Sequence, residues 1–258
     1  MTNAFTVAYS ELTRVLPWSL RALGYPFPIA DRGSHLTATA AAISPKILDE
    51  IAGMQHRPAS GPLHEIAADG TLAIDAQGVS LLEVGPPAID YLAAHAGDAP
   101  LGVARIAGAS EASLIAAILL TGAEYGLSSI ALLPSAKACA WYVASRGDDK
   151  MRLSAGTGTT TLLAALLDDI RQSPVLAEAA ARQDALTIVA RATPFQIDAD
   201  AAETIDPAKA ISTAHARGIP VSAQTLKAIY DLEVLTWMPS SERSRAQAGF
   251  TQPAGTAA

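Results

Sequence analysis

The most distinctive polar run in this sequence is 238–245, MPSSERSR, which follows an apolar helical pattern. One interpretation is the capped start of a surface helix, in which serine and glutamate side chains bond the free amides of the first turn. The other is a site that grips an anionic ligand or a neighbouring subunit, with Ser241, Glu242 and Arg245 as its polar groups. Arginine suits a carboxylate ligand because its guanidinium can make two parallel hydrogen bonds.

Arg105 and Glu111 are a second set of candidates. Arg105 lies in the middle of a mostly apolar strand pattern, and a cation that becomes buried requires a partner. Glu111, at the start of the next helical pattern, could be that partner. The alternative is that both side chains face a cleft and contact a ligand there.

Gly156, Gly158 and Thr159 are candidates for an anion cradle. The glycines lie between a strand pattern and a helical pattern, and glycine lets backbone amides converge on an anion at the positive end of a helix. The alternative is a flexible turn with threonine caps, since no Walker lysine follows and the spacing is not GxGxxG.

Other residue types exclude several classes of function. The 5 histidines show no close metal-ligand spacing, and neither HExxH nor CxxC occurs, so we predict no metal site. Cys139 is the single cysteine, which excludes an internal disulfide and indicates a reducing, cytoplasmic compartment. A net charge of −7 without a basic cluster opposes nucleic-acid binding.

We expect neither a signal peptide nor a membrane span. The first residues lack a basic start that leads into an apolar run. The apolar run 114–120 is too short for a bilayer, which takes about 20 residues. The hydrophobic content of 50% and mean hydropathy of +0.25 instead indicate subunit interfaces.

The elements that position these groups are clearest in the central stretch 78–133. Apolar spacing there predicts helix, strand, helix and strand in turn, over 86–96, 101–107, 112–125 and 128–133. Pro86 and Pro87 suit the first turn of the first helix, and Ser110 with Glu111 can cap the second. This alternation is typical of a layered α/β domain.

The rest of the chain supplies the outer layers. Helices are predicted over 10–23, 29–43, 44–51, 135–146, 162–172, 174–182, 207–217 and 221–235, and strands over 150–153 and 185–192. A hairpin is predicted over 64–76, with its turn at Asp69-Gly70. The predicted organisation is an N-terminal helical layer (1–53), an α/β core (64–200), C-terminal helices that pack back on the N-terminal layer (201–245) and a tail (246–258).

Three stretches resemble the malate/L-lactate dehydrogenase family that lacks a Rossmann fold: 7–24 (VAYSELTRVLPWSLRALG), 78–135 and 215–232 (HARGIPVSAQTLKAIYDL). That group also holds ureidoglycolate and sulfolactate dehydrogenases and cyclic-imine reductases. The resemblance implies a mixed sheet covered by helices, with an N-terminal helical layer. It also implies NAD(P) as the cofactor, a small carboxylate or cyclic imine as the substrate, and a homodimer.

The chain departs from the motifs of that family. The catalytic SHG of the family corresponds to ATAAAISPK at 38–46, and Ser34-His35 reads SHL and comes earlier. The NSxHFG motif corresponds to GASEAS at 108–113, with Glu111 at the place of the histidine, and the cofactor-contacting GTNP has no match. The resemblance therefore implies a dehydrogenase-type fold whose redox groups have been replaced.

The segment 239–245, PSSERSR, preceded by GIPV at 218–221, resembles the ending of a bacterial family of uncharacterised proteins with a PxSExSR-type segment. That resemblance implies no activity. Two hypotheses follow from the whole sequence. The chain is a divergent enzyme acting on a small carboxylate or cyclic imine with altered or lost nicotinamide dependence, or it is a non-catalytic paralogue that serves as an accessory or scaffold subunit.

Overall fold

The computed structural model describes residues 4–96, 101–133, 140–147, 150–158, 164–166, 168, 172, 185–195 and 203–237. The helices are α1 (Tyr9–Ala22), α2 (Phe27–Ile43), α3 (Lys46–Ala52), α4 (Leu81–Ala94), α5 (Ile115–Glu124), α6 (Pro207–Arg217) and α7 (Ala223–Leu235), with a 3₁₀ turn, Ala112–Leu114, ahead of α5. The strands are β1 (Ala4–Val7), β2 (Leu63–Ile66), β3 (Leu72–Asp75), β4 (Gly102–Ala107), β5 (Ser128–Leu133), β6 (Ala140–Gly147), β7 (Lys150–Thr157), β8 (Ala185–Arg191), β9 (Glu203–Ile205) and β10 (Ile219–Ser222).

Eight strands form one mixed sheet in the order β2-β3-β4-β8-β5-β6-β7-β9. Strands β3 and β4 are parallel, and the other described neighbours in this sheet are antiparallel. The connection from β3 to β4 runs through α4, because parallel neighbours require a crossover. The pair β1 and β10 forms a separate antiparallel sheet.

Helices cover one face of the large sheet. Apolar side chains of α4 and α5, such as Ile89 and Ile118, pack with Ile106 and Ile188 of the strands in the main core. A smaller cluster around Trp141 fills the opposite face. The layered, mixed α/β architecture with an N-terminal helical layer, which the sequence predicts, is therefore confirmed.

The C-terminal helices pack on the N-terminal ones. The Arg14 guanidinium donates to the Glu233 carboxylate at 2.7 Å, and the Ser19 hydroxyl donates to the Ile229 carbonyl at 2.8 Å. These contacts join α1 to α7, while α6 lies against α2 and β10 pairs with β1. The N-terminal and C-terminal helices of the described residues thus form one outer layer.

The helix predicted over 135–146 is wrong where the structure describes that range, because Ala140–Gly147 is strand β6. Its sequence, AWYVASRG, is rich in aromatic and β-branched side chains, which favour a strand. Strand β6 pairs with both β5 and β7, so tertiary pairing decides its conformation.

The prolines of α4 lie inside the helix and not in its first turn as predicted. The helix begins at Leu81, where the Ser80 side chain accepts a hydrogen bond from the Leu82 N–H at 3.1 Å. Pro86 and Pro87 therefore each remove one bond from the middle of the helical ladder.

The described residues contain neither a membrane-spanning helix nor a metal-binding cluster. No helix within them has the length and apolarity needed to span a membrane. They also hold no group of three or more His, Cys, Asp or Glu side chains arranged to bind a metal ion.

Candidate functional site

The loops that follow the parallel strands β3 and β4 lie side by side at one end of the sheet. Backbone N–H groups in or next to the first loop donate to carbonyl groups in or next to the second: Ala76 to Ala107 at 2.8 Å, Gly78 to Gly108 at 3.1 Å and Leu81 to Ser110 at 3.2 Å. We call these two loops, 76–80 and 108–114, the loop pair. Crevices at the carboxyl ends of strands are the usual ligand sites of open α/β sheets, so the loop pair is a candidate site.

Both non-glycine residues with a positive φ in the described part of the chain belong to the loop pair. They are Gln77, with φ 50°, and Glu111, with φ 60°. The Asp75 carboxylate supports the first by accepting the Gln77 N–H at 3.1 Å. Glu111 precedes the 3₁₀ turn without bonding it through its side chain, so the cap predicted there is not formed. Left-handed backbone costs an L-residue about 1–2 kcal/mol, and such strain clusters at functional sites.

The polar groups at the helix starts of the loop pair are already bonded. The Glu50 carboxylate accepts the Ser113 hydroxyl at 2.6 Å and the Ser113 N–H at 3.4 Å. The Ser80 hydroxyl accepts the N–H of Leu82, and the Ser110 hydroxyl bonds the Glu111 carboxylate. Since carboxylates surround these helix starts, the described loop pair does not fit a phosphate group.

A buried ion pair adjoins the loop pair at the first turn of α4. Arg57 donates to both oxygens of the Glu83 carboxylate at 2.7 Å. The Arg57 side chain is 19% exposed and the Glu83 side chain 7%. This hydrogen bonding raises the pKa of the Arg57 guanidinium, and the pair fixes the preceding loop against α4.

Tyr25 lies next to this ion pair and is buried. Burial is the largest cause that raises the pKa of the Tyr25 phenol to about 12, and the negative charges of Glu111 and Glu83 act in the same direction. A hydrogen bond from the Ser80 backbone acts against them. The phenol is therefore neutral at ordinary pH and serves as a hydrogen-bonding group.

A small aliphatic cavity of about 120 Å³ lies at the same end of the sheet. Its wall consists of Leu81, Ile106, Ala109, Ala112, Ile115, Leu133, Ala185 and Leu186. Ala109 and Ala112 flank Glu111 in the sequence. Since a dry cavity of roughly 150 Å³ takes a benzene molecule, this one has room for a few carbon atoms.

A larger groove, of about 440 Å³, lies between the end of α2, the helix α6 and the start of β10. Its lining residues are Ala41, Ala42, Pro45, Thr204, Asp206, Lys209, Ala210, Thr213, Ala214, Gly218, Ile219 and Pro220. We call it the α2–α6 groove. Three of these residues, Ala41, Ala42 and Pro45, belong to 38–46, the segment that corresponds to the SHG motif.

Arg105 and Glu111 do not lie together. Arg105 is buried on β4. Val103, two residues before it, belongs to the smaller core, whereas the adjacent Ile106 belongs to the main core and lines the cavity. Because side chains alternate along a strand, Arg105 faces away from the cavity. Burial lowers the pKa of its guanidinium, and the charge of Asp69 in the hairpin turn acts against this.

The glycines predicted as an anion cradle have different surroundings. Gly156 lies inside β7, and a Cβ there would come within 2.4 Å of the Trp141 ring, so packing accounts for this glycine. Gly158 has φ +91° with open space around it. Thr159, and likewise Ser241, Glu242 and Arg245, lie outside the described residues.

Among the residues of these sites that the sequence predictions omit are Tyr25, Arg57, Asp206 and Lys209. Tyr25 and Arg57 have partners on other elements, so no short-range pattern indicates them. Asp206 and Lys209 do carry a signal, because an acid and a base share the first turn of an amphipathic helix at the rim of the groove.

Comparison with models of protein families and with curated proteins found no match. Solved structures do match. The structure of malate dehydrogenase from Pyrococcus horikoshii OT3 gives a TM-score of 0.63 at 12% identity and covers 92% of this chain and 97% of that one. A putative malate/lactate dehydrogenase from E. coli gives 0.62 at 12% identity, over 95% of this chain and 99% of that one.

A further match is delta1-piperideine-2-carboxylate reductase from Pseudomonas syringae pvar. tomato. Its TM-score is 0.60 at 12% identity, and it covers 88% of this chain and 99% of that one. Likeness at such identities establishes the fold alone. The chain has a malate/lactate dehydrogenase-like fold, as its resemblance to that family implies.

Proposed function

We propose that the chain is a divergent enzyme of this dehydrogenase-like fold, which acts on a small carboxylate or a cyclic imine at the loop pair. Glu111 is its proton-transfer group. The observation that carries the proposal is the left-handed conformation of Glu111, at the position that corresponds to the histidine of the NSxHFG motif. A carboxylate can accept and donate a proton as an imidazole does, so the replacement keeps general acid–base chemistry.

The surroundings of Glu111 support this role. The Ser110 hydroxyl bonds its carboxylate and orients it. The aliphatic cavity beside Ala109 and Ala112 accommodates the hydrocarbon part of a small substrate. Glycine would relieve the backbone strain at this position, so the fold by itself gives no reason for a glutamate.

The carboxylate of the substrate requires a cation in this proposal. Arg105 faces the other side of the sheet, so we assign that role to Arg245, with Ser241 and Glu242 as accompanying polar groups. The bidentate geometry of a guanidinium suits a carboxylate.

NAD(P) is the cofactor that the fold implies. The described loop pair does not fit its pyrophosphate, because the amides there are bonded internally and carboxylates surround them. We therefore derive no hydride step through it. We propose instead that the phosphates of this cofactor are bound by the segment that begins at Gly158 and Thr159.

A non-catalytic accessory or scaffold role is the second candidate function. One observation in its favour is that three residues of the segment corresponding to the SHG motif line the groove and have no side chain that can transfer a proton, namely Ala41, Ala42 and Pro45. Large exposed apolar side chains, among them Leu235 (73%) and Trp237 (62%), suit a subunit interface of a homodimer.

Turnover and binding by Glu111 variants test the proposal. The assays are turnover of 2-hydroxy acids, 2-oxo acids and cyclic imine carboxylates, and calorimetric titration with NADH and NADPH. We expect Glu111→Gln to lower kcat by about 100-fold or more, as for loss of a general acid or base. Glu124→Gln, at an exposed position of α5, is the matched control and should leave kcat unchanged.

Glu111→Gly separates function from folding. It should lose activity like Glu111→Gln and yet raise the free energy of unfolding by about 1 kcal/mol, because the left-handed strain is relieved. Full activity of either variant would refute the assignment of Glu111. Absence of both turnover and cofactor binding in a stable wild-type dimer would favour the scaffold role.

A further inference from the structure

The α2–α6 groove carries two opposite charges that do not bond each other through their side chains. The Asp206 carboxylate accepts the backbone N–H of Lys209 at 3.0 Å, as the cap of α6. The Lys209 ammonium has no carboxylate within ion-pair distance in the described part of the chain. Both charges are therefore available to a ligand in the groove.

The helix ends around the groove have opposite polarity. Asp206 and Lys209 lie at the start of α6, the positive end of its dipole, whereas Ala41 and Ala42 lie in the last turn of α2, at the negative end. Anions are stabilised at the first kind of end and cations at the second. The groove thus favours a ligand that carries both charges.

Most of the remaining wall of the groove is aliphatic, and its other polar residues are Thr204 and Thr213. Ala42, Ala214 and Ile219 contribute aliphatic surface. Gly218 closes the wall near β1, since a Cβ there would come within 2.9 Å of the Val7 carbonyl oxygen. A short aliphatic side chain suits this surface, whereas a doubly charged anion would be repelled by Asp206.

We propose that the α2–α6 groove binds a small free amino acid with an aliphatic side chain. Its carboxylate contacts the Lys209 ammonium, and its ammonium contacts the Asp206 carboxylate. The proposal does not depend on a reaction at the loop pair, because it uses none of the groups there.

The proposal is tested on the full chain with an amino acid and two analogues, each of which lacks one of its two charged groups. They are L-valine, isovalerate, which lacks the ammonium, and isobutylamine, which lacks the carboxylate. In calorimetric titrations we expect valine to bind about tenfold more tightly than either analogue, because each analogue loses one charged contact.

Two charge variants assign the contacts. Lys209→Met keeps the aliphatic stem and should weaken valine about tenfold while leaving isobutylamine unchanged. Asp206→Asn keeps a good helix cap and should bring the affinity for valine down to that for isovalerate. Lys227→Met is the control, since Lys227 is an exposed lysine of α7 that pairs with Asp231.

A shape variant tests the location. Ala42→Leu fills the floor of the groove without changing a charge and should weaken valine and both analogues. Equal affinity for valine and isovalerate would overturn the amino-acid assignment. Absence of valine binding, or binding that Lys209→Met and Ala42→Leu leave unchanged, would overturn the site itself.

Discussion

The loop pair and the α2–α6 groove both gather charges at helix ends, but those charges have different partners. Next to the loop pair, Arg57 and Glu83 bond each other through two hydrogen bonds of 2.7 Å and are largely buried. In the groove, Lys209 and Asp206 are exposed and share only a backbone cap. The Arg57–Glu83 charges are thus bonded within the protein, whereas the charges of the groove are open to solvent.

This difference separates two uses of charge. The stability of the folded state depends on both members of a buried ion pair, because removal of one member leaves the other charged and desolvated. Exposed charges that do not bond each other add little to stability and remain free to bind a ligand. Substitution of Arg57 or Glu83 should therefore change stability, whereas substitution of Lys209 or Asp206 should change ligand binding.

Arg57→Ala should have the largest effect on stability. We expect the free energy of unfolding to fall by about 3 kcal/mol, because the Glu83 carboxylate remains buried without its cation. Urea unfolding followed by circular dichroism measures this change.

Arg32→Ala is the matched control for that measurement. Arg32 also makes two short hydrogen bonds to one carboxylate, that of Asp90, but the two side chains are 41% and 46% exposed. We expect a loss of no more than about 1 kcal/mol there. Equal losses in the two variants would show that burial does not distinguish the two ion pairs.

Tyr25 makes the region around the Arg57–Glu83 pair sensitive to alkaline pH. Its phenol has a pKa of about 12 in the folded chain, above the ordinary value of 10.0, so its contribution to stability is complete below the ordinary value. That contribution is lost as the pH rises from the ordinary value towards the folded one, because the unfolded chain releases the proton first. The loss is about 2–3 kcal/mol in total.

Unfolding at pH values below and within this interval measures the effect. The difference in free energy of unfolding between the two conditions should shrink in Tyr25→Phe, which has no phenol to titrate. Tyr125→Phe removes the hydroxyl of a side chain that is 52% exposed and should keep the wild-type difference. A Tyr25→Phe difference as large as that of the wild type would contradict the role of Tyr25.

Elements that form from local contacts can be predicted from the sequence better than elements that form from long-range contacts. Helix α1 and strand β5 can be predicted from their apolar spacing, because that spacing is visible within a short stretch of sequence. Strands β1, β9 and β10 span only three or four residues each, and they form because of partners far away in the chain. The helix predicted at strand β6 is wrong for a different reason, since pairing with β5 and β7, its neighbours along the chain, decides its conformation.

A residue of the candidate sites can be predicted from the sequence only where its own position indicates its role. Glu111 could be identified from its place in the sequence, but its left-handed backbone could not, because glycine and not glutamate is the usual sign of that conformation. Arg57 and Glu83 are 26 residues apart, and nothing near either of them indicates the other. Such pairings depend on the whole fold.

Lys209→Met should have the smallest effect on stability in this comparison. Lys209 is exposed and has no ion-pair partner among the described residues, so its charge can be removed without leaving a desolvated group behind. Surface substitutions of this kind usually change the free energy of unfolding by less than about 0.5 kcal/mol. Urea unfolding should therefore give the wild-type midpoint. A loss comparable to that of Arg57→Ala would mean that the Lys209 ammonium bonds a group of the protein itself, as the charges of Arg57 and Glu83 do.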